Sequence, residues 1–471
     1  MSSSESIFDL LHKAVEYGED AGANFVEARF DDLTISTLNL TNDIVTQASN
    51  MQRKGIGIFA YFDGTPGYSF TPNLNLEDIK NSCNRAVKIA RSTSSMNEMK
   101  NNFEKMSTVK DKIVLDVKNH PKEADITSKI DMLEIGVSNI KEQVEAKSTS
   151  GLFGEFWGEK YFVNSEGSEI YWTPLVTQLV FIAVAKGPDG QAVGFSSKGV
   201  SSGMEFYSGE YSPESLGINA GKYCKEQLTA ISPPTGKQKA YIGPRLGGVL
   251  AHESFGHLTE TDFVVTGMSP LSDKVGDILG SEHATIIDEG IIDEGFYLPY
   301  DDQGIKTKKV TLLEKGKFLG YLHDRGSAKD MGVEPTGNSR AIHFMFQPIP
   351  RMKNTYFAQG DHSEEEALQL VKNGIYAIGT SGGEVSLDGN FLFNCSRGYL
   401  IENGEKTHAL KNASLSGNIM DFIKQVAATT KESEMNTGYF GGCGKSGQAP
   451  LPVGLGGAGV VVNEVLVGGG K

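Results

Sequence analysis

The residues best placed to do chemistry lie in the run Gly247-Gly248-Val249-Leu250-Ala251-His252-Glu253-Ser254-Phe255-Gly256-His257. Two imidazoles and a carboxylate in so short a span are a metal-binding set, because neutral imidazole is a good ligand for a divalent cation. In the familiar His-Glu-x-x-His helix the two rings are four positions apart, about 40° around the axis, and face one ion. Here they are five apart, about 140° on an ideal helix. Metal binding therefore requires the backbone to widen or stop between them, by a π turn or by unwinding, and Gly256 sits where a helix yields most readily. The competing reading is two ordinary helix histidines, one on the surface and one packed. The apolar run ahead of His252 argues against it, since burying two imidazoles and a carboxylate without partners is costly and coordination relieves that cost.

A catalytic zinc site typically takes three protein ligands and keeps a position for water. Glu260, Asp262, His283 and Cys443 are the candidates for the third. Cys443 lies in Tyr439-Phe440-Gly441-Gly442-Cys443-Gly444-Lys445-Ser446-Gly447-Gln448, where glycines permit close backbone approach and Lys445 would favour the thiolate. The same run is not a phosphate loop, because the glycine required five positions before Gly444 is Tyr439. Cys83 and Cys224 fall at helical spacings and Cys395 in a strand-like run, so all three are expected in the core. Four cysteines without paired spacing argue against a disulfide framework and for a reducing compartment.

The elements that must position these groups read as an α+β fold: an N-terminal helix-and-sheet region followed by a β-rich C-terminal domain that carries the metal-binding helix. Helical spacing at Ile7, Leu10, Leu11 and Ala14 gives way to alternation over Phe25–Phe30 and Leu33–Leu40, then to a strand at Ile56–Phe62. Turns at Asp63-Gly64 and Pro66-Gly67 lead to a helix capped by Asn75, completing a unit over residues 1–95. Residues 92 to 110 have a linker composition. A second unit, 110–230, carries a helix from Ile126, antiparallel strands turning at Ser165-Glu166-Gly167 and at Gly187–Gly190, and a helix from Ser212-Pro213. From 238 to 471 one helix near Leu246–His257 is followed by what reads as many short strands. With 471 residues there is ample chain for a core, and 59 acidic against 44 basic residues give a net charge of −15. That charge repels phosphate backbones, so neither nucleic acid nor an anionic membrane is expected as a partner. No run of 18 apolar residues occurs, and an acidic start without a basic-then-apolar pattern is no secretory signal, so a cytoplasmic location is expected.

Taken together, these residues resemble the TldD/PmbA metalloprotease family, in its TldD-type, metal-site-bearing form. The likeness lies in His252 to Asp262; in Tyr300-Asp301-Asp302-Gln303-Gly304 through Gly320-Tyr321-Leu322-His323-Asp324-Arg325; in Pro335-Thr336-Gly337-Asn338; in Pro350 to Tyr356; and in Cys443-Gly444-Lys445 with Gly447-Gln448. It implies His252, His257 and Cys443 as metal ligands and Glu253 as the catalytic glutamate. It also implies peptide-bond hydrolysis in unfolded or extended peptides, through metal-activated water with Glu253 as general base. Zn suits imidazole plus thiolate, with Fe as the alternative. A dimer follows from the same likeness, either a homodimer or a heterodimer with a paralogous subunit. Tyr321, His323 and Arg325 carry groups able to stabilise an oxyanion. The other reading is a non-catalytic peptide-binding or scaffold subunit with a structural metal site. After Gln448 the chain departs from the family pattern, with Gly456-Gly457-Ala458-Gly459 richer in glycine than the usual ending.

Overall fold

The computed structural model describes residues 3–94, 106–187 and 190–469. The centres of the expected linker (95–105) and of the Gly187–Gly190 turn lie outside the described residues. Helix α1 (Ser3–Asp20) turns Leu11, Ala14 and Val15 inward. Strand β1 (Phe25–Thr41) runs unbroken through both expected alternating stretches, turns at Asn42-Asp43 into β2 (Ile44–Phe62), and turns again at Asp63-Gly64 into β3 (Thr65–Thr71). Pro66-Gly67 lies inside β3 rather than in that turn. A Cβ on Gly67 would stand 2.1 Å from the Ala86 carbonyl, so glycine there lets helix α2 (Leu76–Ser94) lie directly on the strand. The start of α2 is capped as its sequence indicates, with Asp78 N–H donating to Asn75 Oδ1 at 2.9 Å.

Strand β4 (Lys110–Ile113), helix α3 (Ile126–Gln143), strands β5 (Ser148–Asn164), β6 (Glu169–Trp172), β7 (Leu175–Gly187) and β8 (Gly190–Val200), and helix α4 (Pro213–Gln227) follow. The strands form one sheet in the order β3-β2-β1-β5-β6-β4, with β7 bonded to both β5 and β8. Strand β1 pairs with β5 from Glu27↔Asn164 to Thr41↔Ser150, so the sheet is continuous from the first stretch of chain into the second. α1 and α2 cover one part of it, around Cys83, and α3 and α4 another, around Cys224.

The C-terminal part holds a second sheet: β9 (Gly236–Ile242), β10 (Ile286–Glu289), β11 (Val310–Glu314), β12 (Lys317–Phe318), β13 (Asn354–Phe357), β14 (Gly374–Val385), β15 (Asn390–Glu402), β16 (Glu405–Leu410), β17 (Ser414–Asn418), β18 (Val426–Lys445) and β19 (Gln448–Gly468). Its order is β12-β11-β10-β13-β19-β17-β15-β14-β9, and β9 returns to pair with β19, closing that end into a ring. The α+β class holds, but the strands are not uniformly short: β18 and β19 span 20 and 21 residues. Gly454, Gly456, Gly457 and Gly459 of the glycine-rich ending sit inside β19. The Gly-rich ending has a steric cause, since a Cβ on Gly248 would lie 2.0 Å from the backbone nitrogen of Gly456. The site helix crosses β19 at backbone contact, and a side chain at Gly248 would force it away, while a Cβ on Gly456 would meet the Glu434 carbonyl of β18 at 1.9 Å.

The two sheets meet through buried charge. Asp302 receives Arg29 Nη1 at 3.3 Å and also Lys160, while Arg325 donates to Glu166 at 2.9 Å and lies 4.6 Å over the Phe25 ring. The Tyr300–Gly304 and Arg325 motifs are thus fasteners between sheets. No helix among the described residues is long and apolar enough to cross a membrane.

Candidate metal centre

Helix α5 (Pro244–Val249) begins at a proline, suited to a first turn, and its Leu246, Gly247 and Gly248 are buried. From Leu250 to Gly256 it widens into a π turn, and the His257 N–H donates to the His252 carbonyl five residues back. This is the distortion that the i, i+5 spacing demands: an i→i+5 turn brings residues five apart onto one face. The two rings stand 5.2 Å apart, centroid to centroid, at 84°. Gly256 leaves room for the Met352 sulfur, which a Cβ there would meet at 2.0 Å.

Cys443 arrives from the end of β18, almost two hundred residues away in sequence. One ligand atom from each of His252, His257 and Cys443 lies within 4.8 Å of the others. Cys443 Sγ is 3.4 Å from His257 Nε2. His252 is fully buried and neither of its ring nitrogens has a hydrogen-bond partner, although it lies close enough to the sulfur to influence it. An orphaned buried imidazole beside a second imidazole and a thiol is a donor set that a zinc-like cation would complete. Glu253, on the same turn, keeps 37% of its side chain exposed and lies 3.7 Å from His257 Nε2.

The remaining third-ligand candidates fall elsewhere. Glu260 is behind the centre, its Oε2 2.7 Å from His257 Nδ1 and 2.9 Å from Lys445 Nζ, in the position of a carboxylate that orients a ligating histidine. Asp262 is bound to Lys445 at 2.6 Å, and His283 is exposed outside the group. Lys445 therefore acts on carboxylates and on the Pro350 carbonyl, tying the Cys443 strand to the His257 side of the centre. Burial would raise the Cys443 thiol, but the imidazoles, His257 foremost, bring it well below the usual range. Burial would likewise depress His257, yet Glu260 and then Cys443 lift it well above ordinary histidine. Glu260, opposed by burial, is drawn down to about 2 by His257 and Lys445.

The oxyanion candidates are not gathered here. Tyr321 donates to the Leu271 carbonyl at 2.6 Å, Arg325 fastens the sheets, and His323 is buried, which pushes it down to about 4. The motifs around Asn338 and Lys353 are scaffold as well: Asn338 donates to Asp288 at 2.8 Å, and Lys353 reaches both Asp288 and Asn338.

Sequence reasoning did not find what holds the Cys443 arm. Tyr439 stacks on Phe156 at 4.9 Å, Phe440 fills the space above Gly154, and Gln178 brackets the Phe440 backbone, its Oε1 accepting from Phe440 N–H at 3.2 Å. The arm is thus positioned by the first sheet, through contacts spanning some 260 residues that no local pattern announces.

Comparison with known proteins identifies the family and the fold. Residues 26–90, 119–228 and 235–469 match, respectively, domain 1, the central domain and the C-terminal domain of the PmbA/TldA metallopeptidases. The chain is 33% identical over 451 residues to a metalloprotease of Methanocaldococcus jannaschii, covering 95% of this chain and 96% of that one. It is 25% identical over 462 residues to a zinc metalloprotease TldD homolog of Saccharolobus solfataricus, covering 98% and 100%. Its fold is shared with the crystal structure of TldE from Thermococcus kodakarensis, with a TM-score of 0.77 at 19% identity over 98% of this chain and 100% of the other.

Proposed function

From the premise that the chain belongs to the PmbA/TldD metallopeptidase family, we propose that it hydrolyses peptide bonds in unfolded or extended peptides. His252, His257 and Cys443 would hold the metal, zinc by its donor set and iron as the alternative. When bound, the metal would lower the pKa of water toward neutrality and polarise the scissile carbonyl. Glu253 is the general base: unburdened by any strong ion pair and open to solvent, its carboxylate takes the water proton and passes it to the departing amine. Glu260 fixes the His257 ring through Nδ1, and Lys445 fixes Glu260. An extended peptide paired with a strand edge would explain weak side-chain selectivity. The working form is a dimer, with an identical or a paralogous chain, in the cytoplasm.

The observation that carries this reading is the buried, unpartnered His252 within 4.8 Å reach of His257 and Cys443, with a half-exposed carboxylate next in sequence. Glu253→Gln tests it. Hydrolysis of an unstructured peptide should fall by roughly 100- to 10,000-fold while metal stoichiometry stays at the wild-type level. Turnover that survives the substitution removes Glu253 from the mechanism, whereas a metal-replete wild-type protein that hydrolyses no unstructured peptide would make the centre a structural one.

A further inference from the structure

A cleft of about 580 Å³ runs between β7 and β8 of the first sheet and β14, β15 and β18 of the second. Two segments of its wall run on along the chain into the candidate metal centre. Arg245 and Val249 line it one helical turn apart, and the next residue in that row is Glu253; across from them Gly438, Phe440 and Gly441 line it just ahead of Cys443.

Two cations face this space, and their surroundings differ. Arg245 is spoken for: it donates to Glu434 at 2.8 Å, to Asn436 Oδ1 at 2.8 Å and to Ser197. Arg397 has none of this. Its guanidinium carbon lies 3.5 Å over the Tyr223 ring and 5.7 Å from that of Tyr399, and its buried Nε has no hydrogen-bond partner. Among the described residues no carboxylate forms an ion pair with it. A half-buried guanidinium loses hydration, and stacking on an aromatic face recovers only part of that loss. Stacking does something else: it holds the planar fork flat and leaves its Nη edge free for a bidentate acceptor.

We propose that Arg397 is a specificity-determining residue that anchors a carboxylate of the peptide bound in this cleft, either its C-terminal carboxylate or an Asp or Glu side chain. The inference rests on reading the metal centre as a peptidase site, which makes the adjoining cleft the place where peptide lies. Glu434 is neutralised by Arg245, and Glu210 at the exposed rim would repel a second acidic group, so one carboxylate is selected rather than an acidic run.

Binding of short dansylated Ala/Ser/Gly peptides to full-length, metal-loaded protein carrying Glu253→Gln, followed by fluorescence polarisation at fixed ionic strength, tests the assignment. Four peptides are compared: one with a free C-terminus, its C-terminal amide, the amide with one central Asp, and the amide with Asn at that place. Adding Arg397→Gln should weaken the carboxylate-bearing peptide by about ten- to a hundredfold and leave the plain amide unchanged. Which of the free acid and the Asp amide responds identifies the source of the carboxylate. Arg397→Lys, which keeps the charge and loses the planar fork, should fall between, and thermal melting verifies that both variants fold. Equal binding of all four peptides, or equal loss for acid and amide, overturns the proposal. Carboxylate-dependent binding in a protein whose Glu253 form cleaves no peptide leaves this inference standing and rejects the peptidase reading instead.

Discussion

Burial acts alike on Glu260 at the candidate metal centre and on Glu27 and Asp301 at the junction between the two sheets, yet the outcomes are opposite. Glu260, fully buried, has a histidine nitrogen at 2.7 Å and an ammonium at 2.9 Å, and its pKa falls to about 2. Glu27, 3% exposed, is pushed up to about 8 by burial, because its nearest cation, Arg325, stands at 3.7 Å and Gln303 offers only a long 3.4 Å hydrogen bond. Asp301 rises to about 7 although three backbone N–H groups donate to it. Desolvation is the common cost, and for Glu260 the two cations in contact overcome it, whereas for Glu27 and Asp301 nothing does. Glu260 thereby keeps its negative charge beside the His257 imidazole, whereas Glu27 and Asp301 at the junction hold their protons more tightly than free carboxyls.

Four changes probe that contrast. His257→Ala removes both a candidate ligand and the partner of Glu260; metal affinity should fall by well over about 100-fold in chelator competition. Lys445→Met leaves all three candidate ligands in place but unfastens Glu260, so affinity should drop by roughly 10- to 100-fold with the junction unaffected. At the junction the sign of the pH effect follows from a raised carboxylate. Folded Glu27 keeps its proton while the unfolded chain releases it above about 4.5, so stability declines as pH rises from there toward 8, by about 1.4 kcal/mol per unit. Glu27→Gln should flatten that decline in denaturant melts, leaving metal affinity at the wild-type level. Gly154→Ala, whose Cβ would stand 2.0 Å from the Phe440 ring, should weaken metal retention less than Lys445→Met does, by displacing the Cys443 arm. If Gly154→Ala proves silent, the first sheet does not set the position of that arm.

How much was legible in the sequence divides along the same line. The helical half of the centre is local: His252, Glu253 and His257 stand within one turn and a half, and their spacing alone demanded the widened turn seen at Leu250–Gly256. The class of the fold followed from periodicity in the same way. The other half is not local. Cys443 could be paired with the histidines only through family resemblance, because its register, and the Tyr439, Phe440 and Gln178 contacts that hold it, depend on the first sheet. Glycines misled for a related reason. At Gly67, read along the sequence as part of a turn, and at Gly248 and Gly456, glycine marks places where backbones touch.

X-ray absorption at the metal edge of the purified, metal-replete protein tests the central claim most directly. One sulfur scatterer at about 2.3 Å with nitrogen near 2.0–2.1 Å is expected, the sulfur vanishing in a folded Cys443→Ser variant. A wild-type spectrum of nitrogen and oxygen alone, or a sulfur shell that outlasts the substitution, would contradict a centre built from His252, His257 and Cys443.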